Sequence, residues 1–159
     1  MSEQTLSLVV QLATLISTVL ALISIWIGVR IYRRQMNAQV FLTYTQRYEA
    51  IMSAFPEGAI RARFSFDEVL PPSTDQLSLC VLRYLNLCSE EFYLTKTGYL
   101  DGKLWNIWAD EMKRMMRAPL VRREWPALRS EFESYPAFLG YIEGVMAEES
   151  SRGATSQPK

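Results

Sequence analysis

Between Gln4 and Val29 the chain carries no charged side chain, and the stretch LSLVVQLATLISTVLALISIWIGV from Leu6 to Val29 is apolar over nearly all of its 24 residues. A helix of that length reaches roughly 36 Å at 1.5 Å per residue, against a hydrocarbon layer of roughly 30 Å. A soluble core helix is rarely so long and so uniformly oily, so a membrane span over 6–29 is expected. A cleaved signal peptide would need a basic n-region and a shorter apolar core. The opening MSEQT offers Glu3 and no lysine or arginine, which favours a retained anchor.

All 17 Lys and Arg stand at position 30 or later, and Arg30, Arg33 and Arg34 follow the apolar run at once. Basic residues beside a span are held on the cytoplasmic side. The pattern therefore predicts a short external tail over 1–5, a single pass through a bacterial inner membrane, and a cytoplasmic position for 30–159. The three arginines lie within one helical turn and can reach one headgroup layer, so their expected role is topological.

The helical pattern does not stop at the arginines. Phe41, Tyr44, Tyr48, Ile51 and Phe55 recur at spacings of three and four, which places them on one face, and neither Gly nor Pro interrupts 30–55. One helix from about Leu6 to Phe55 is predicted, with 30–55 as an amphipathic juxtamembrane stalk ended by Pro56 and Gly58. The stretch IRARFSF alternates like a strand but has no second strand to pair with. A short helix or an ordered loop up to Pro71 and Pro72 is the expected form.

Four further helical segments follow. Thr74 or Ser73 can cap a helix that buries Leu77, Val81, Tyr84, Cys88 and Phe92, with Gly98 as its C-terminal stop. Asp101 can cap a helix running to about Arg117. Another covers roughly 120–133, bent or restarted at Trp125 and Pro126, and Pro136 opens the last one. The polar segment 149–159 lacks apolar anchors and is expected to be disordered. The fold class is all-α: a transmembrane helix, a stalk, and a small helical bundle over 56–148.

Composition closes several routes to chemistry. There is no histidine, which removes Ser/His/Asp and Cys/His nucleophiles and the usual zinc sites. Cys80 and Cys88 are about 12 Å apart if they share a helix, beyond disulfide reach. No phosphate-cradling glycine loop exists. Past the span, 17 positive charges meet 16 negative ones once Glu3 is set aside, unlike a nucleic-acid binder. Glu90 with Glu91, and Asp110 with Glu111, are neighbours in sequence and point about 100° apart on a helix, so neither pair converges by itself. No metal, cofactor or catalytic residue is expected.

The most distinctive soluble segment is KLWNIWADEMKRMMRAPLVRR, 103–123. Leu104, Trp105, Trp108, Met112, Met115 and Met116 share one broad arc, while Lys103, Lys113, Arg114 and Arg117 lie opposite. Six positive and two negative charges give it +4, whereas 124–149 has one positive charge and six negative ones. Two readings follow. In one, the arc is bundle core and the basic face pairs with the acidic segment. In the other, Trp105, Trp108, Lys113, Arg114 and Arg117 form a docking surface for a protein partner or an anionic lipid headgroup layer. Within the span, Ala13, Ser17, Ala21, Ser24 and Gly28 make a small-residue seam, and Gln11 could hydrogen-bond across it, which suits pairing with a second span.

From Arg30 onward the layout resembles uncharacterised bacterial families of single-span proteins: an RRQ exit, an FPEG helix stop, a helix like LRYLNLCSEEF, and a GYLDGKLW turn into a tryptophan-bearing helix. That resemblance implies a fold and carries no activity. The sequence thus points to a non-enzymatic membrane-complex subunit or regulator with a protein partner or a homo-oligomeric state. A membrane-active defence or toxin-like effector that oligomerises through its span is the alternative. An enzyme remains a third reading, and it requires two distant carboxylates to converge in one cleft.

Overall fold

The computed structural model describes residues 3–63 and 69–155, with side chains described as far as 148. Its elements are α1 (Glu3–Ser53), α2 (Glu57–Ala62), α3 (Asp75–Lys96), α4 (Gly102–Arg117), α5 (Pro119–Leu128), a 3₁₀ turn (Arg129–Phe132) and α6 (Pro136–Thr155). The described residues form an all-α protein. The chain divides into two units, Met1–Phe41 and Leu42–Lys159.

The first unit is helical throughout its described length. Its hydroxyls are satisfied inside the helix: Thr14 donates to the Val10 carbonyl, Ser17 to Ala13, Thr18 to Thr14 and Ser24 to Leu20, at 2.8–2.9 Å. Such bonds satisfy a hydroxyl within its own helix without a water partner. The apolar side chains from Leu6 to Val29 are all exposed, and the segment is long and apolar enough to cross a membrane.

The second unit is a bundle in which α4 packs against α3, α5 and α6, and α3 also meets α5 and α6. Its core takes Met52 and Phe55 from the end of α1, Ala59 and Ala62 from α2, and Leu77, Val81, Tyr84, Leu85, Cys88 and Phe92 from α3. Met112, Met115 and Met116 of α4 are fully buried with Leu120, Val121, Phe132 and Ile142. Three unbranched thioethers let one helix fill the irregular gaps left by its three neighbours. Trp125 stacks on Phe132, and Phe138 joins Phe132 and Phe92 in an aromatic cluster.

The expected punctuation is realised. The Thr74 hydroxyl accepts from the Leu77 amide at 3.2 Å, and the Asp101 carboxylate accepts from the Lys103 amide at 3.0 Å. Gly98 adopts a φ of 76°, the left-handed conformation that glycine takes without strain. Tyr99 then donates back to the Leu94 carbonyl and Gly98 to Thr95, which closes α3 in a Schellman motif. The helix expected over 120–133 continues through Trp125 and Pro126 and gives way to the 3₁₀ turn after Leu128, two residues beyond the proline.

Residues 57–62 form the expected short helix, with Ala59 and Ala62 buried three apart and Ile60 exposed; Phe64 and Phe66 lie outside the described residues. Two boundaries differ from the sequence reading. The expected stalk over 30–55 is divided, because from Leu42 the helix belongs to the folded unit, where Tyr48, Ile51, Met52 and Phe55 have core to cover. Of the segment 149–159, expected to be disordered, residues 149–155 are helical, since α6 runs to Thr155. Glu148 and Glu149 continue the helix that begins at Pro136, and glutamate has good helix propensity. Residues 156–159 lie outside the described residues.

Candidate functional site

The second unit contains a cleft of about 280 Å³ lined by Tyr44, Thr45 and Tyr48 of α1, Tyr84 and Glu91 of α3, and Ile107, Trp108 and Glu111 of α4. Each element contributes at helical spacing. Tyr44 and Tyr48 are one turn apart. Tyr84, Cys88 and Glu91 follow at four and three, and Ile107, Trp108 and Glu111 occupy one turn of α4. Tyr44 stacks on Trp108 with ring centroids 5.4 Å apart, and Tyr48 meets Tyr84 edge-on at 6.3 Å.

Glu91 is the unusual member. It is 7% exposed, and its carboxyl accepts no hydrogen bond and enters no ion pair among the described residues. Burial pushes its pKa up to about 8; Arg47 partly opposes this, and the charge of Glu90 adds to it. Its neighbour Glu90 has the opposite environment. Arg47 holds Glu90 with both guanidinium nitrogens, one at 2.8 Å, and the Tyr44 hydroxyl donates to it at 3.1 Å. The Arg47 hydrogen bond keeps the Glu90 carboxyl below its ordinary value, despite partial burial.

The surrounding groups are held neutral or paired. Burial pushes the Tyr44 phenol up to about 12, with Glu90 adding to the effect, and raises Tyr48 with Glu111 as the second cause. Tyr84 and Cys88 are raised well above their ordinary values, chiefly by burial. Glu111 accepts from the Tyr48 hydroxyl at 3.3 Å and from Arg114 through both carboxylate oxygens, at 3.0 and 2.8 Å. Two carboxylates from distant segments thus line one cleft, as an enzymatic reading would require, but one of them is already engaged.

The predicted surface residues are placed differently from one another. Trp105 is half-buried among Phe92 and Tyr141, with centroids at 5.9 and 6.0 Å, while Trp108 lines the cleft. Lys113 pairs with Asp110 at 3.9 Å, Arg114 with Glu111 at 2.8 Å, and Arg117 with Glu148 at 3.6 Å. The basic face of α4 meets carboxylates of its own unit, two of them on its own helix. In the first unit, Gln11, Ala13, Ser17, Ala21, Ser24 and Gly28 are exposed along α1, and a side chain added at Gly28 would meet nothing within 4 Å. Arg30 lies over the Trp26 ring at 5.4 Å, and Arg33 and Arg34 are exposed.

The sequence reading places Tyr44 and Tyr48 on the stalk's apolar face and Tyr84 on the buried face of a helix, and takes Glu91 only as the neighbour of Glu90. The missed signal was positional: Glu91 continues the buried 84–88 face of α3, so a carboxylate was being sent inward. Among the described residues no three His, Cys, Asp or Glu side chains come together in a way that could hold a metal ion. Comparisons with protein-family models, with curated proteins and with solved structures found no match to this chain.

Proposed function

We propose that the chain is a single-pass membrane protein whose helical unit binds a protein partner at the cytoplasmic face of a bacterial inner membrane, as a non-catalytic subunit or regulator. The observation that carries the reading is the uncovered apolar surface of α1. Among the described residues, the side chains of Leu8, Leu15, Ile25 and their apolar neighbours from Leu6 to Val29 are exposed, whereas the second unit closes a core of its own. A continuous apolar surface of that kind calls for lipid or another protein. The position of every lysine and arginine at 30 or later supports an inward-facing second unit.

Ile107, 64% exposed on α4 beside Trp108, is an apolar contact point next to the predicted surface. A catalytic role is less well supported. Glu111 is engaged by Arg114 and Tyr48, and the thiols of Cys80 and Cys88 are both pushed up by burial, away from nucleophilic thiolate.

The test is biochemical. The chain should resist alkaline carbonate extraction from membranes and should migrate after gentle solubilisation in a discrete complex larger than the monomer. Ile107→Asp combined with Arg114→Glu should shift it to the monomer without loss of helicity. Release by carbonate would remove the anchor, and a monomer indifferent to the double substitution would remove the partner.

A further inference from the structure

The cleft in the second unit combines three features that no packing requirement explains together. It is an open space of about 280 Å³ bounded by the rings of Tyr44, Tyr48, Tyr84 and Trp108. It is lined by Glu91, a residue 7% exposed whose carboxyl has no hydrogen-bond partner among the described residues. A second carboxylate, Glu111, stands on the opposite helix with its charge shared by Arg114. Leaving a carboxyl unpaired in such a place costs free energy, and a leucine or methionine would fill the same position without that cost.

Charge and shape narrow what would complete it. An anion would face Glu91, Glu111 and four rings whose π faces repel negative charge, so it is disfavoured. A neutral apolar ligand would leave Glu91 unpaired. A cation gains from the carboxylate and from the rings together, which is the combination that recognises organic ammonium groups. A primary ammonium brings three N–H donors, and the cleft has one unengaged acceptor group; an alkylated ammonium has no such donors to satisfy. The volume lies just below the roughly 300–1,000 Å³ of sites that take drug-sized ligands, so the occupant is compact.

We propose that this cleft is a binding site for a small alkylated ammonium ion, with Glu91 as the counter-charge and Tyr44, Tyr48, Tyr84 and Trp108 as an aromatic cage. The site is independent of what α1 is anchored in and of any protein partner. Binding draws the proton from Glu91, so a proton leaves as the cation enters. Other charged and titratable groups surround Glu91. Glu90 and Arg47 neutralise each other, Glu111 is paired with Arg114, and Tyr44, Tyr48, Tyr84 and Cys88 all have raised pKa values. Arg63, beyond α2, acts on Tyr48 as a fixed positive charge.

The experiment uses the full chain in a maltoside detergent, with choline as the probe and 3,3-dimethylbutan-1-ol, its uncharged carbon analogue, as the control. Titration calorimetry should give saturable choline binding, and the alcohol should bind about tenfold more weakly or worse. The heat of choline binding near pH 7 should vary with the ionisation enthalpy of the buffer, reporting the released proton. Affinity should rise from about pH 6 to about pH 9. Glu91→Gln should lose about tenfold or more, and Trp108→Leu, which keeps an apolar side chain and removes the ring, should lose several-fold. Glu91→Asp should retain part of the affinity. Equal binding of choline and the alcohol, no choline binding to the wild-type chain, or unchanged affinity in a folded Glu91→Gln protein would each overturn the assignment.

Discussion

Among the described residues Glu91 and Glu124 are the two buried glutamates of the folded unit, at 7% and 3% exposed, and their surroundings differ at every contact. Glu124 accepts from the hydroxyls of Ser73 at 3.0 Å and Ser78 at 2.6 Å and from Arg123 at 2.9 Å, while Arg123 also donates to the Pro71 carbonyl at 2.6 Å. Those bonds tie the loop before α3 and the start of α3 to α5. Burial raises its pKa, but the hydrogen bonds from Ser78, Arg123 and Ser73 outweigh this and leave the carboxyl below its ordinary value. Glu91 receives no such bond, and its pKa moves the other way. A buried charge with a complete set of partners is a structural fastener, whereas one with none is open to a ligand.

The largest expected effect breaks the first half of this contrast. Glu124→Ala would remove the acceptor that Arg123, Ser73 and Ser78 share, although Ser73 and part of Arg123 reach solvent. The cost should be about 2–3 kcal/mol, read as a fall in the midpoint of denaturant unfolding. The same residue sets a pH slope. Its folded pKa lies below the unfolded value, so its stabilisation is present above about pH 4.5 and is lost as pH falls through the folded value.

Glu91 tilts stability in the opposite direction. Between about pH 4.5 and about pH 8 the folded state holds a proton that the unfolded state has lost, so stability falls as pH rises across that window and levels off above it. Glu91→Gln should abolish that slope. Near pH 8 it should raise stability by about 1–3 kcal/mol, with no gain near pH 4.5. Parallel pH–stability curves for wild type and Glu91→Gln would show that the carboxyl has found a partner and would dissolve the comparison.

How far this contrast could be read from the sequence depends on whether the deciding contacts are local. The helices, their caps and the Schellman turn at Gly98 follow from spacings within one turn, as do the buried faces of α3 and α4. Such signals are complete in a window of a few residues. The environments of Glu91 and Glu124 are not. Ser73 and Ser78 reach Glu124 from 51 and 46 positions away, and Tyr48 reaches Glu111 from 63. Nothing near Glu91 in the sequence announces that Tyr44, Tyr48 and Trp108 will close around it. The tryptophans and arginines of α4 illustrate the converse: their pattern suggested a free surface, and the pairing of Arg117 with Glu148 depends on a helix 31 positions away in the chain, since 148 − 117 = 31.

The smallest effect sharpens the comparison within a single pair of neighbours. Arg47 binds Glu90 directly and acts on Glu91 only through space, lowering a pKa that burial has raised. Arg47→Met should therefore separate two consequences. Both Arg47 and Glu90 are over two-fifths exposed, so the ion pair itself is screened by solvent, and its loss should cost about 1 kcal/mol or less in unfolding experiments. The titration of Glu91, followed by the carboxyl carbon resonance of a ¹³C-labelled glutamate, should move upward, because the one positive charge that favours its ionised form is gone. The charge of Glu90, then unpaired, pushes in the same direction. A downward or absent shift would mean that Arg47 is too well screened to act on Glu91, and the raised pKa would then be the work of burial and the aromatic walls alone.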